Sequence, residues 1–311
     1  MIISRRHVRV KVMQVIYAFR NSENIPLDKQ LKFLSSSIQS TYQLYILMLS
    51  LFCKIYKKAQ DDLVKKRNKQ ATTNEGVSTT FIDNIILNLI VNYAKTLDDA
   101  ELEKYWNEDD AYFDLIFKAI TSSKLYEDYI ASETSSFKKD KYFFIELFKT
   151  IIAPNDKLYE YVEDKNLLWV DDFSVVNSHV LRLLEHVKPN SLASYFESEL
   201  YKNEDDEQFA LDLLEKTQLN KSSIVKEIKK KTKNWDADRI ASVDYVLLQM
   251  AICELNKFPS IPTRVTINEY IEMSKEYSTI KSGIFINGIL DTLVKEYEEQ
   301  GTLNKIGRGL V

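Results

Sequence analysis

An all-α fold follows from three observations on the sequence. Only 6 glycines and 5 prolines occur in 311 residues, so chain breakers are sparse. Apolar residues recur at helical spacing over most of the length. The composition, 45% hydrophobic and 28% charged, is ordinary for a folded soluble chain with a sizeable core. A net charge of −4 excludes a wholesale polyanion binder and leaves any nucleic-acid contact to a local patch.

The first predicted helix covers residues 4–20, SRRHVRVKVMQVIYAFR, with Ser4 as its cap. At about 100° per residue, Val8, Val12, Val15, Ile16 and Phe19 cluster on one face. Arg6, Arg9 and Arg20 fall together on a neighbouring face, with Arg5 at its border, and no acidic residue interrupts them. A helix apolar on one side and cationic beside it is a candidate anion-binding edge.

A long helical pattern runs from Leu27 to about Arg67 and ends rich in lysine, as a helix dipole favours. The polar stretch Asn68–Ser78 reads as a loop. Further helices are predicted at Thr80–Thr96, Ala111–Thr121, Leu125–Ser132, Phe137–Ile152, Lys157–Lys165 and Phe173–Val187, with Pro154 and Pro189 as boundaries. The acidic, aromatic stretch Asp98–Asp114, with Tyr105, Trp106, Tyr112 and Phe113, reads as a solvated face or a docking patch for a basic protein.

Glu204–Lys233 carries an apolar stripe with a break near Asn220 and a lysine-rich end. Asp236 is the expected cap of a helix through Ile240, Val243, Leu247, Met250 and Leu255, which Pro259 terminates. Pro262 suits the opening of the next helix, with Val265, Ile267, Ile271 and Met273 as its apolar positions. Ser282 and Gly283 predict a break before the last helix, whose apolar positions are Ile284, Phe285, Ile286, Ile289, Leu290 and Leu293. Gly288 inside that helix is unfavourable by about 1 kcal/mol against alanine, and a close helix–helix approach would explain it.

The order of residues in this C-terminal half is informative. Asp-Arg-Ile-x-x-Val-Asp at Asp238–Asp244 is followed by x-Leu-x-x-Ala-x-x-Glu-Leu, ending at Leu255. Ile-Pro-x-x-Val-x-Ile-Asn-Glu at Ile261–Glu269 and Phe-Ile-Asn-Gly-Ile-Leu-Asp at Phe285–Asp291 complete the series. It resembles the C-terminal half of the NusB family of bacterial transcription antitermination factors over residues 204–295, with a weaker resemblance over residues 4–20. That resemblance implies a NusB-like helical bundle enlarged by a helical insertion. Residues 1–34 would supply the arginine-rich helix, 35–190 the insertion, 191–300 the C-terminal bundle and 301–311 a frayed tail.

The resemblance also implies a function. With NusE, a small-subunit ribosomal protein, such a protein would bind boxA-like single-stranded RNA of ribosomal RNA operons and help RNA polymerase read through terminators. Arg5, Arg6 and Arg9 match the family's N-terminal arginines and would meet phosphates. Phe285 matches a family aromatic at the RNA surface, where it would stack on a base. Lys281 stands where many relatives carry an acid, and could meet a phosphate. A cytoplasmic location is expected, since the N-terminus has no signal-peptide run and Leu44–Cys53 is too short to span a membrane.

No enzyme constellation assembles. His7, His179 and His186 lack partners at metal-ligand spacing, and there is no P-loop, nucleophile elbow or glycine-rich dinucleotide turn. No metal or cofactor is therefore expected. Cys53 and Cys253 read as reduced, buried thiols. The alternative to RNA binding is a helical protein-interaction scaffold that docks a partner through Asp98–Asp114.

Overall fold

The computed structural model describes residues 1–22, 25–70, 78–97, 105–106, 110–132, 136–232 and 240–307. The described residues hold α-helices and short 3₁₀ and π turns, and no strand. In chain order the helices are α1 (Arg5–Phe19), α2 (Leu27–Gln70), α3 (Ile85–Ala94), α4 (Asp110–Thr121), α5 (Lys124–Ile130), α6 (Phe137–Leu147) and α7 (Asp156–Lys165). They continue with α8 (Asp172–His186), α9 (Glu204–Leu219), α10 (Lys221–Lys231), α11 (Ser242–Lys257), α12 (Thr263–Tyr277) and α13 (Ile280–Glu299). Among the described residues, no helix is long and apolar enough to cross a membrane.

Contacts divide the chain into two compact units. The first comprises Met1, Ile3–Ile38 and Tyr201–Val311, the second Ile2 and Gln39–Leu200.

The first unit is built around α11, which is buried from Val246 to Leu255. A helix covered on all sides belongs at the centre of a bundle, and α1, α9, α10, α12 and α13 all pack against it. The expected break near Asn220 separates α9 from α10, and Asn220 closes α9 by donating from its side chain to the Lys216 carbonyl at 2.8 Å. Pro262 caps α12 as expected, and α11 stops at Lys257, two residues before Pro259. The expected cap Asp236 lies outside the described residues; α11 starts after Ala241, and Ile240 precedes it.

Two expectations for the last helices are corrected. Val265 is exposed, and the buried positions of α12 are Thr266, Tyr270, Met273 and Ser274. The reason is polar: Thr266 Oγ1 and the Tyr270 hydroxyl donate to the buried Glu254 carboxylate at 2.8 and 3.1 Å. Hydroxyl-bearing side chains thus take the core side, because an unsatisfied buried carboxylate would be costly.

The second correction concerns the glycines. Ser282 and Gly283 do not break the chain; Thr279 caps α13, accepting from the Ser282 N–H at 3.2 Å. The break is earlier, at Ser278. Gly283 makes the close approach, since a Cβ there would stand 3.4 Å from Ser274 Oγ and 3.6 Å from Ile271 Cγ2 of α12. Gly288 is exposed, and among the described residues nothing lies within 4 Å of a Cβ built on it.

The second unit has an aromatic core. Tyr129 stacks on Phe143 at 3.7 Å and Trp106 on Tyr161 at 4.0 Å between centroids. Asn84 caps α3 and donates to the Tyr129 hydroxyl at 2.8 Å, and that hydroxyl donates to Asp140 at 2.9 Å. The predicted helix Phe137–Ile152 is α6 continued by a π turn at Phe148–Ile152. Part of Asp98–Asp114 lies outside the described residues, but Tyr105, Trp106 and Phe113 are buried. Three of its four aromatic residues therefore belong to the core rather than to a solvated face or a docking patch, while Tyr112 is half-buried and donates from its hydroxyl to Asp164 at 2.5 Å. Trp106 has φ +73°, a left-handed backbone that bulky residues rarely adopt. It is held there by a ring N–H bond to Ser50 Oγ at 3.0 Å and a backbone N–H bond to the Tyr161 hydroxyl at 3.0 Å.

Candidate nucleic-acid interface

The N-terminal arginines fall on the first unit, each against a different helix. Arg5 Nε donates to Asp206 of α9 at 2.7 Å, and the Arg5 side chain is 43% exposed. Arg6 donates from Nε and Nη2 to both oxygens of Glu269 on α12, at 2.9 and 2.8 Å, and is 44% exposed. The Arg6 hydrogen bond is the main reason that the Glu269 pKa lies below its ordinary value. Exposed pairs of this kind contribute about 0–1 kcal/mol, so a phosphate can exchange for the carboxylate.

Arg9 has a different environment. Its side chain is 3% exposed and makes a two-pronged bond to Glu254 of α11 at 2.8 Å on both prongs. Burial opposes its charge, yet the adjoining Glu254 carboxylate raises the Arg9 pKa above its ordinary value. The guanidinium carbons of Arg5 and Arg9 stand 5.2 and 5.1 Å from the Phe209 ring centroid. The phosphate role expected of Arg9 thus meets a geometric obstacle: it is enclosed between α1, α9 and α11 and tied to a buried acid.

Lys281 and Phe285 lie on α13, on the side away from its contact with α12. Gly283 faces α12, and Phe285 is two residues on, about 200° further around the helix. Lys281 is exposed and Phe285 half-buried. Together with Lys231 from the end of α10, Ile284, Gly288 and Ile289 they line a shallow depression of about 410 Å³. The arginines are bound to carboxylates of α9, α11 and α12, whereas Lys281 and Phe285 belong to this depression.

Sequence reasoning missed Ile280 and Ile284, which are 84% and 75% exposed. Ile284 looked like core because isoleucine usually is. The signal was the helical phase: Ile280, Ile284 and Gly288 fall opposite the buried Ile286, Leu290 and Leu293.

His179 is buried, bonded to Ser198 Oγ at 2.8 Å and to Arg182 at 2.8 Å. Burial, then the Arg182 charge, lowers its pKa to about 4. Burial pushes both Cys53 and Cys253 up to about 11. Among the described residues, no group of three or more His, Cys, Asp or Glu side chains could hold a metal ion.

The described residues thus form a helical protein whose basic first helix is tied to three others and whose last helix borders an aromatic, lysine-rimmed depression. The NusB family profile matches residues 173–295. The transcription antitermination protein NusB of Salinibacter ruber is 48% identical over 84 residues, covering 27% of this chain and 52% of the relative. Its counterpart in Chloroherpeton thalassium is 45% identical over 92 residues, 30% of this chain and 44% of the relative. That of Natranaerobius thermophilus is 39% identical over 94 residues, 30% of this chain and 68% of the relative. This chain belongs to the NusB family. It spans about half the length of the first two relatives, and no solved structure matches it. The matched stretch begins at residue 173, inside the second compact unit, so the family pattern crosses the division between Leu200 and Tyr201.

Proposed function

We propose that the protein is an RNA-binding transcription antitermination factor. With a NusE partner it binds boxA-like single-stranded RNA of ribosomal RNA operons and promotes read-through by RNA polymerase. It acts without catalysis, in the cytoplasm. Residues 35–172, ahead of the stretch that the family profile matches, are a helical insertion between the parts of a NusB-like bundle. The observation that supports the RNA reading most is Phe285: it is half-buried, not fully buried, and lines a surface depression with Lys281. An aromatic side chain so placed can stack on an unpaired base, a contact worth about 1–3 kcal/mol. Arg5 and Arg6 supply the sequence-independent phosphate contacts, and Arg9 holds the helix that carries them. The scaffold alternative loses support from the burial of Tyr105, Trp106 and Phe113.

The test is fluorescence anisotropy with a boxA-like RNA and a scrambled RNA of equal length, with and without NusE, at two salt concentrations. Tighter binding of the boxA-like RNA, improved by NusE, is expected. Equal, weak binding of both RNAs, unmoved by NusE, would transfer support to the scaffold. Replacing Phe285 by alanine is expected to weaken binding without altering the salt slope. Replacing Arg5 and Arg6 together is expected to flatten that slope by up to about 1.4 units, for two phosphates of a single strand.

A further inference from the structure

The two glycines of α13 have opposite surroundings. Gly283 touches α12 and its small size is a packing requirement. Gly288 touches nothing among the described residues that a methyl group would displace. It is also exposed in the middle of a helix, where glycine is the least favourable residue after proline. Packing among the described residues therefore does not account for it.

Its position does. Gly288 is one turn beyond Ile284 and less than one turn beyond Phe285, and it lines the same depression. The helix backbone is bare there, between an aromatic ring, two isoleucines and two lysines. Any side chain at 288 would project from the lining into the open space.

We propose that Gly288 is a specificity-determining residue of a single-nucleotide subsite. One unpaired base of a single-stranded nucleic acid lies against the bare backbone at Gly288, with Phe285 and Ile284 bordering it and its phosphate near Lys281. Charge complementarity identifies the occupant. Lys281 is exposed and forms no ion pair among the described residues. Lys231, at the other side of the depression, is already paired with Glu296, so Lys281 is the lining lysine that can meet a phosphate beside the apolar floor. An apolar face beside a phosphate-seeking lysine suits an unstacked nucleotide and not a duplex, whose bases are already paired and stacked. Stacking tolerates many bases, but a floor without side chains also allows close approach of the sugar or the base edge, as glycine does wherever a backbone meets a ligand.

This inference rests on the RNA-binding reading of the Phe285 surface, and the experiment separates the two. A labelled single-stranded boxA-like RNA and its duplex are titrated against the full chain and three variants, Phe285→Ala, Gly288→Ala and Gly288→Leu. Thermal midpoints are recorded for all four proteins. The expected result is single-strand binding by the unsubstituted chain and loss at Phe285→Ala. Affinity should also fall by about five-fold or more at Gly288→Ala, the loss of a weak stacking contact, and further at Gly288→Leu. The thermal midpoint of Gly288→Ala should stay level or rise, because alanine is the better helix former.

If Phe285→Ala weakens binding while both Gly288 variants bind as before, the subsite is overturned and the RNA reading stands. A lower midpoint for Gly288→Ala would make the glycine a packing residue and also overturn it. If the unsubstituted chain fails to bind, or Phe285→Ala binds unchanged, the RNA reading of this surface fails and the subsite with it. Tight binding of duplex by the unsubstituted chain would overturn the unpaired-base assignment.

Discussion

Arg9 and Arg6 stand one turn apart on α1 and bond to carboxylates at nearly the same distance, yet their exposures are 3% and 44%. Burial decides what each pair is worth. Removing Arg9 leaves Glu254 buried without its counter-charge, which costs about 3–5 kcal/mol. Arg9→Ala should therefore shift the urea midpoint of the first unit strongly, whereas Arg6→Ala should cost under about 1 kcal/mol. Equal midpoints would show that Glu254 is satisfied by Thr266 and Tyr270 alone. The sequence set both arginines on one basic face and could not separate them. Their acidic partners lie 245 and 263 residues away, and no local pattern encodes such a pairing.

The helix α13 shows what was legible at the scale of an element, and what was not. Its existence, its apolar stripe and the aromatic Phe285 could be read from the helical period. Its start could not, because Ser282 and Gly283 look like breakers unless Thr279 is recognised as a cap whose third residue is Ser282. Thr279→Ala should accordingly cost about 1 kcal/mol of stability, measurable by denaturant titration. Gly283→Leu should cost about 1–3 kcal/mol through overpacking against Ser274 and Ile271. A neutral Gly283→Leu would mean that α12 and α13 separate without penalty. The Thr266–Tyr270 phase of α12 was illegible for a related reason: hydrophobicity ranks Val265 above Thr266, and only the buried carboxylate of Glu254 reverses the order.

At the scale of the whole molecule, acid acts on the second unit through a buried histidine. In the second unit His179 is held neutral by burial and by Arg182, with Tyr45 against its ring at 5.3 Å. Its pKa is about 4 in the folded chain against about 6.5 when unfolded. The unfolded state therefore takes up the proton first as pH falls. Its contribution is complete above about pH 6.5 and is lost progressively towards about pH 4. Protection factors along α8, corrected for the slower intrinsic exchange in acid, should fall between about pH 6.5 and about pH 4, and His179→Gln should remove part of that dependence. An unchanged slope in the variant would assign the acid sensitivity to carboxylates.

Trp106 and Trp169 are 2% and 4% exposed, both in the second unit, and Trp106 lies parallel to a tyrosine ring. With Trp235 outside the described residues, these are the two indoles whose surroundings are known. Their emission should be blue-shifted and poorly quenched by iodide, and excitation of nearby tyrosines should feed it. A fluorimeter thus has a built-in channel for melting of the second unit. Changes at the Phe285 depression can be followed separately through a dye on the RNA.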